Sequence, residues 1–152
     1  MPKDLSPGFS SKNVTAENKL MLSTVNELVN IDGASFASPI TFYCGFELGN
    51  VLFKTSQANT HFTMNLLGGP GASFSSLMAI GKIRTVTLMI TCGASAYSLQ
   101  NLQIDGATQT VKWAGGSTPT GNVGPAYDVY TFSIIKVGAS SYVVLGTMTK
   151  FA

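Results

Sequence analysis

The sequence is poor in charged residues. Only 11% of its 152 residues are charged, against roughly 25% in an average soluble protein. The nine lysine and arginine residues are scattered, and the net charge is +2. Because nucleic-acid binding needs cations clustered along the phosphate backbone, we do not expect nucleic acid as a partner.

Histidine and cysteine are also scarce. His61 is the only histidine, and Cys44 and Cys92 lie far apart with no Cys-x-x-Cys pair. Since zinc sites are built from clustered Cys and His ligands, no metal site is expected. Both cysteines lie inside apolar runs, which predicts buried free thiols. A disulfide between them is the open alternative.

The carboxylates and glycines show no catalytic arrangement. The seven Asp and Glu residues are thinly spread, and both Asp105 and Asp128 have a structural explanation at a turn or a strand start. A lone histidine on the polar side of a strand is more often a satisfied side chain than a base. The glycines at 68–71 mark a turn, because the Gly-Lys-Ser/Thr of a phosphate-binding loop is missing. We expect neither an enzyme nor a cofactor.

Long apolar runs are missing as well. None approaches the ~18 residues of a membrane span, and the first residues lack the apolar segment of a secretory signal. We therefore expect synthesis in the cytoplasm and no membrane insertion.

The chain is rich in uncharged residues. Hydrophobic residues make up 45% of the sequence, and so few charges protect a protein poorly against association. We expect other subunits to cover part of the surface, in a homo-oligomer with a trimer favoured.

The main secondary-structure signal is short alternating segments separated by turn residues. Residues 60–67 alternate with Phe62, Met64 and Leu66 on one side. Residues 83–92 form the longest strand candidate, with an apolar side of Val86, Leu88, Ile90 and Cys92, and this strand is expected to be central. Asp105-Gly106 predicts a hairpin. A second hairpin is expected between residues 127–137 and 140–149, pairing Tyr130, Phe132 and Ile134 with Val143, Val144 and Leu145.

These signals predict an all-β, mainly antiparallel fold, either a β-sandwich or a jelly-roll-like barrel, with at most one or two short helices. Residues 15–30 have weak helical character that competes with a strand beginning near Val25, and residues 73–80 are read as a short helix or an irregular crossover. Residues 1–12 carry Pro2, Pro7 and Gly8 and read as an extended arm. Residues 13–152 are assigned to a single domain.

One part of the chain resembles a known family. Four motifs occur in order: the strand and loop VTLMITCGASAY at 86–97, QIDG at 103–106, VKWAGGSTP at 111–119 and DVYTF at 128–132. Their order and spacing resemble a module at the C-terminal end of virion proteins of tailed bacteriophages, especially cyanophages. The resemblance covers about residues 83–152 and implies a structural protein at the virion surface.

Two functions follow from this resemblance. The first is capsid decoration or cementing, in contact with the major capsid protein, because a small chain with a polar arm can bind at repeated lattice sites. The alternative is a tail-fibre or tail-associated adhesin that binds a glycan of the host envelope. For that alternative, the candidate interaction residues are Trp113, Tyr127 and Tyr130, whose rings could stack on sugars beside the Gly/Ser/Thr-rich loop 114–125.

Overall fold

The computed structural model describes residues 27–45 and 49–152, and within these ranges the fold is all-β, as predicted. The arm at 1–12 and most of the helix-favouring segment 15–30 lie outside the described residues, and the end of that segment belongs to the first strand. The strands are β1 (Val29–Asp32), β2 (Ile40–Tyr43), β3 (Val51–Gln57), β4 (Phe62–Leu67), β5 (Ile83–Thr91), β6 (Leu99–Ile104), β7 (Ala107–Gln109), β8 (Val111–Trp113), β9 (Tyr127–Lys136) and β10 (Tyr142–Phe151). A 3-10 helix, η1 (Phe74–Leu77), connects β4 to β5, within the segment expected to form a short helix or crossover.

The strands form two sheets. The large sheet has the order β1-β3-β5-β9-β10-β8, and the small sheet has the order β2-β4-β6-β7. From β1 to β6 the chain alternates between the sheets, so that β1, β3 and β5 are parallel neighbours in one and β2, β4 and β6 in the other. β5 lies between two neighbours in the large sheet, which confirms its expected central position.

The expected antiparallel pairing is found in only part of the fold. Five of the eight strand pairings in the described chain are parallel, and three are antiparallel. Neither a mainly antiparallel arrangement nor a jelly-roll-like strand order is confirmed. The physical reason is that parallel neighbours here are joined by crossovers between the sheets, whereas hairpin turns are the only connections with a short-range sequence signal.

One core lies between the two sheets. In β4 the buried residues are Phe62, Met64 and Leu66, and in β5 the alternating Val86, Leu88 and Ile90 are buried, both as predicted. Each such side chain stabilises the fold by about 1.5–3 kcal/mol through burial. An edge-to-face contact between Phe62 and Tyr130, with ring centroids 6.1 Å apart, joins the small sheet to the large one.

Both predicted hairpins are present. β6 and β7 are joined at Asp105 and Gly106, which have φ of 51° and 81°, the positive values that a two-residue hairpin turn requires. β9 and β10 are antiparallel, but only the Ile134–Val144 pair of the expected register occurs. Phe132 is opposite Gly146 and Tyr130 is opposite Met148, because Val143 and Leu145 face away from the core.

Candidate functional site

Trp113 packs against the core from β8, an edge strand. Its ring is half-buried and lies edge-on to Phe132 and Tyr130, with centroid distances of 5.8 and 6.3 Å. Gly146 of the adjacent strand makes the space, since a Cβ there would lie 2.9 Å from the Trp113 ring. This contact gives Trp113 a packing role in the chain.

Tyr130 is fully buried, so it belongs to the core and is not accessible to a ligand. Its hydroxyl accepts a hydrogen bond from the backbone N–H of Leu99 at 3.3 Å. Burial is the main cause that raises the pKa of Tyr130, to about 12. The prediction that Tyr130 is an interaction residue is therefore wrong. Its ring joins the two sheets through the contact with Phe62.

Tyr127 lies on the opposite side of β9 from Tyr130. It is 45% exposed, and its ring lies edge-on to Phe53 of β3 at 5.9 Å. Because successive residues of a strand face opposite sides, the structure does not bring Trp113, Tyr127 and Tyr130 together into one stacking platform.

His61 contacts the segment that leads into β6. Its Nδ1 accepts a hydrogen bond from the backbone N–H of Ser98 at 3.1 Å, and the Ser98 hydroxyl lies 3.3 Å from the same nitrogen. The ring also lies edge-on to Tyr97 at 5.7 Å. In a Ser-His-Asp triad Nε2 takes the serine proton and Nδ1 donates to the carboxylate. Here Nδ1 of His61 instead accepts from the backbone, which is the satisfied role expected for His61.

Both cysteines are buried free thiols, as predicted. Burial raises the pKa of the Cys44 thiol to about 12, while burial and the Asp128 carboxylate together raise the pKa of Cys92 to about 11. High pKa values disfavour the thiolate that a nucleophile or a metal ligand requires.

The described residues also contain no group of three His, Cys, Asp or Glu side chains that could hold a metal ion. Among the same residues, no helix has the length and apolar character needed to cross a membrane.

Asp128 accepts a hydrogen bond from the neighbouring loop, which gives it the structural role expected near a strand start. One carboxylate oxygen, Oδ2, accepts the backbone N–H of Asn122 at 2.8 Å, and the residue is 1% exposed. Glycines allow the same loop to approach residues 92–97 closely. A Cβ at Gly124 would meet the Cys92 carbonyl at 2.7 Å, and one at Gly121 would overlap the Tyr97 carbonyl. The loop 114–125 is therefore anchored at this end of the sheets.

The outer face of the large sheet is a candidate interaction surface that the sequence did not reveal. It consists of the side chains of the six strands that point away from the small sheet. One row of it crosses four strands through the register pairs Ile31–Phe53, Phe53–Met89 and Met89–Val129. Tyr127 is two residues from Val129 on the same side of β9. Six of the ten exposed large hydrophobic residues in the described chain lie on this face: Val29, Ile31, Ile83, Tyr127, Leu145 and Phe151.

The charges of the large sheet are on its other side. Its strands contain seven charged residues, of which only Lys112, paired with the outward Leu145, points outward. The other six share the alternation of the buried residues: Asp32, Lys54, Arg84, Asp128, Lys136 and Lys150.

Several of these inward charges are fixed by specific partners. Lys54 forms a 2.8 Å ion pair with Asp32. Lys136 donates to the carbonyls of Ser75 and Met78 at 2.7 and 3.1 Å. Both lysines therefore form polar contacts within the fold, on the inner side of the large sheet.

A sequence signal for this arrangement exists in β9. Asp128 and Lys136 share the alternation of Tyr130, Phe132 and Ile134, so the opposite side of the strand carries no charge.

Comparison with known proteins assigns no family. Searches with family models, against curated proteins and against solved structures each found no match. A proposal about function therefore rests on the residues and on the fold described above.

Proposed function

We propose that this chain is a structural protein of a tailed-phage virion, which decorates or cements the capsid as a homo-oligomer in contact with the major capsid protein. The support for a virion role is the sequence resemblance over residues 83–152. In the fold, that segment supplies β5 and every strand after it, and thus four of the six strands of the large sheet.

The residues of the resembling motifs have structural positions. Asp105 and Gly106 form a hairpin turn, the Trp113 ring packs on the core, and Asp128 holds the loop before β9. None of these positions needs a substrate to explain it. This supports an architectural role for the module.

The observation that carries the proposal is the outer face of the large sheet. A sheet side left in water usually alternates polar and charged residues with the buried ones. Here that side consists mostly of apolar and hydroxyl-bearing residues, and its only charged residue is a lysine on the edge strand β8. Exposed apolar patches of this kind mark protein interaction sites, as a protein built into a larger particle requires.

The glycan-binding alternative has less support. It depended on three aromatic rings at one end of the fold, but Tyr130 is buried and Tyr127 faces the other side of β9. A polar groove of about 570 Å³ beside β7 and the start of β10 offers hydroxyl and amide groups to a sugar, since Thr108, Gln109 and Ser141 line it. Glycan binding that is lost on Gln109→Ala would favour the adhesin.

Immunogold electron microscopy of purified phage particles tests the proposal. Antibody raised against the purified chain should label the capsid surface. Label restricted to the tail or its fibres would favour the adhesin, and particles without label would contradict a role in the virion. Particles from a phage that lacks the gene are the matched control.

A further inference from the structure

We propose that the outer face of the large sheet is an interface between two copies of this chain, packed sheet against sheet. The inference extends the association contained in the proposed structural role. Its test uses the purified protein alone, so its failure is distinguishable from failure of the virion role.

The distribution of charge favours a second copy as the occupant. When two identical faces meet around a two-fold axis, a charge on either face is buried against the apolar side chains of the other copy or, close to the axis, lies near its own equivalent, and both placements oppose association. Six of the seven charged residues in the strands of the large sheet point inward, and the remaining Lys112 lies on β8 at the edge. Two copies can therefore meet without bringing a charge into the centre of the interface.

The area of the face suits a stable pair. The six strands contain 43 residues. With a rise of about 3.3 Å per residue and about 4.8 Å between strands, they cover about 700 Å². A specific protein interface of standard size buries about 800 Å² on each partner. One copy of the face thus supplies almost all of the area that a stable dimer needs.

The side chains at the centre suit packing between sheets. The central strand pair β5 and β9 presents Met89 and Val129 next to each other, bordered by Thr87 and Thr131 in the adjacent row. Sheets pack face to face about 10 Å apart through such short and medium-sized side chains. Threonine hydroxyls can also donate to and accept from the same residue type across the interface.

The geometry fixes the symmetry. Two identical faces that meet form a self-complementary interface around a two-fold axis. The expected assembly is a dimer, whereas the trimer favoured by the sequence would need a second, different surface.

The test is the mass of the purified full-length chain in solution, measured by light scattering and native mass spectrometry across a concentration series. The wild type should have twice the chain mass at micromolar concentration. Val129→Glu places a charge at the centre of the face and should weaken dimerisation by at least about 100-fold. Val137→Glu makes the same chemical change at a 53% exposed loop position and should leave the dimer unchanged.

A second variant guards against misfolding of Val129→Glu. Phe151 is 54% exposed, so the Phe151→Glu substitution should leave the fold of each chain intact. It should nevertheless weaken dimerisation, because it adds a charge to the outer face. Circular dichroism and thermal melting must show that both variants keep the wild-type β-structure.

Three outcomes would overturn the inference. A monomeric wild type would show that the face has another occupant. An oligomer whose mass is unchanged by Val129→Glu and Phe151→Glu would show that copies associate through another surface. A trimeric wild type would exclude a simple two-fold pair.

Discussion

Gly146 and Trp113 form a matched pair on adjacent strands of the large sheet. The two residues are register partners in β10 and β8, and a Cβ at Gly146 would lie 2.9 Å from the Trp113 ring and 2.6 Å from the Val111 side chain. The glycine therefore provides the space that the indole occupies over Tyr130 and Phe132. This contact attaches the edge strand β8 to the core.

Gly146→Ala should destabilise the fold by about 1–3 kcal/mol, because it overfills a packed site. Trp113→Ala should cost about 3 kcal/mol through lost burial. Chemical denaturation measures both effects. Since Trp113 is the only tryptophan, its fluorescence emission should also shift in Gly146→Ala. Gly33→Ala is the control, since a Cβ there meets nothing closer than 3.5 Å, and equal stability of the two alanine variants would contradict this account.

The Asp105 turn should control the position of η1. The Asp105 carboxylate accepts the backbone N–H groups of Phe74 and Ser75 at 2.6 and 3.0 Å, although these residues are about thirty positions away in sequence. Asp105→Ala should lose about 1–2 kcal/mol, since two backbone donors lose their acceptor and an alanine must adopt positive φ. Asp105→Asn tolerates that φ and keeps one acceptor oxygen, so its loss should be smaller. Hydrogen exchange at Phe74 and Ser75 should speed up in the alanine variant, and unchanged exchange would contradict the capping role.

The ion pair between Asp32 and Lys54 should make stability depend on pH at the acid end. The hydrogen bond from Lys54 is the largest cause that lowers the pKa of Asp32 below 3.8. Because the pKa of Asp32 is lower in the folded than in the unfolded state, its ionised form stabilises the fold at any pH above the unfolded-state pKa. This stabilisation is lost as the pH falls through the folded-state pKa.

Asp32→Asn should therefore cost stability near neutral pH, and the difference from wild type should narrow below about pH 4. Because the Asp32 side chain is 34% exposed while that of Lys54 is 4% exposed, we expect about 1–2 kcal/mol at neutral pH, reduced from the value for a fully buried pair. Urea denaturation at both pH values measures this. A difference that stays constant with pH would show that the charge on Asp32 is not the cause.

Deletion of residues 1–12 tests the predicted arm. The segment has Pro2, Pro7 and Gly8 and no apolar periodicity, so it should add little to the stability of the β-domain. The truncated chain should keep the wild-type melting temperature and bind particles or its own copies more weakly. Unfolding of the truncated chain would place the arm within the domain, and undiminished association would make it dispensable.

Local pattern was enough to predict several elements of the fold. Alternation identified β4 and β5 and their buried sides, and Asp105-Gly106 located a hairpin, because both signals are contained in a few consecutive residues. The parallel pairs β1–β3 and β2–β4 were not predictable in this way. Their partners are separated by crossovers between sheets, which leave no short-range signal.

The candidate site was predictable only in part. The low charge of the sequence predicts association, which stays a prediction, but it does not locate the surface that has almost no charge. Trp113, Tyr127 and Tyr130 were grouped because they lie near one loop, whereas strand alternation and the β9–β10 register decide that Tyr127 faces outward and Tyr130 inward. The apolar row on the outer face appears only when Ile31, Phe53, Met89 and Val129 are aligned by the pairing of four strands.

The central claim is that this chain decorates the capsid of a virion, and its copy number tests that claim most directly. Quantitative mass spectrometry of purified particles gives the number of copies of this chain for each copy of the major capsid protein. The account predicts a fixed ratio of the order of one decorating subunit per lattice site. Absence of the chain from purified particles, or only a few copies on each, would contradict capsid decoration.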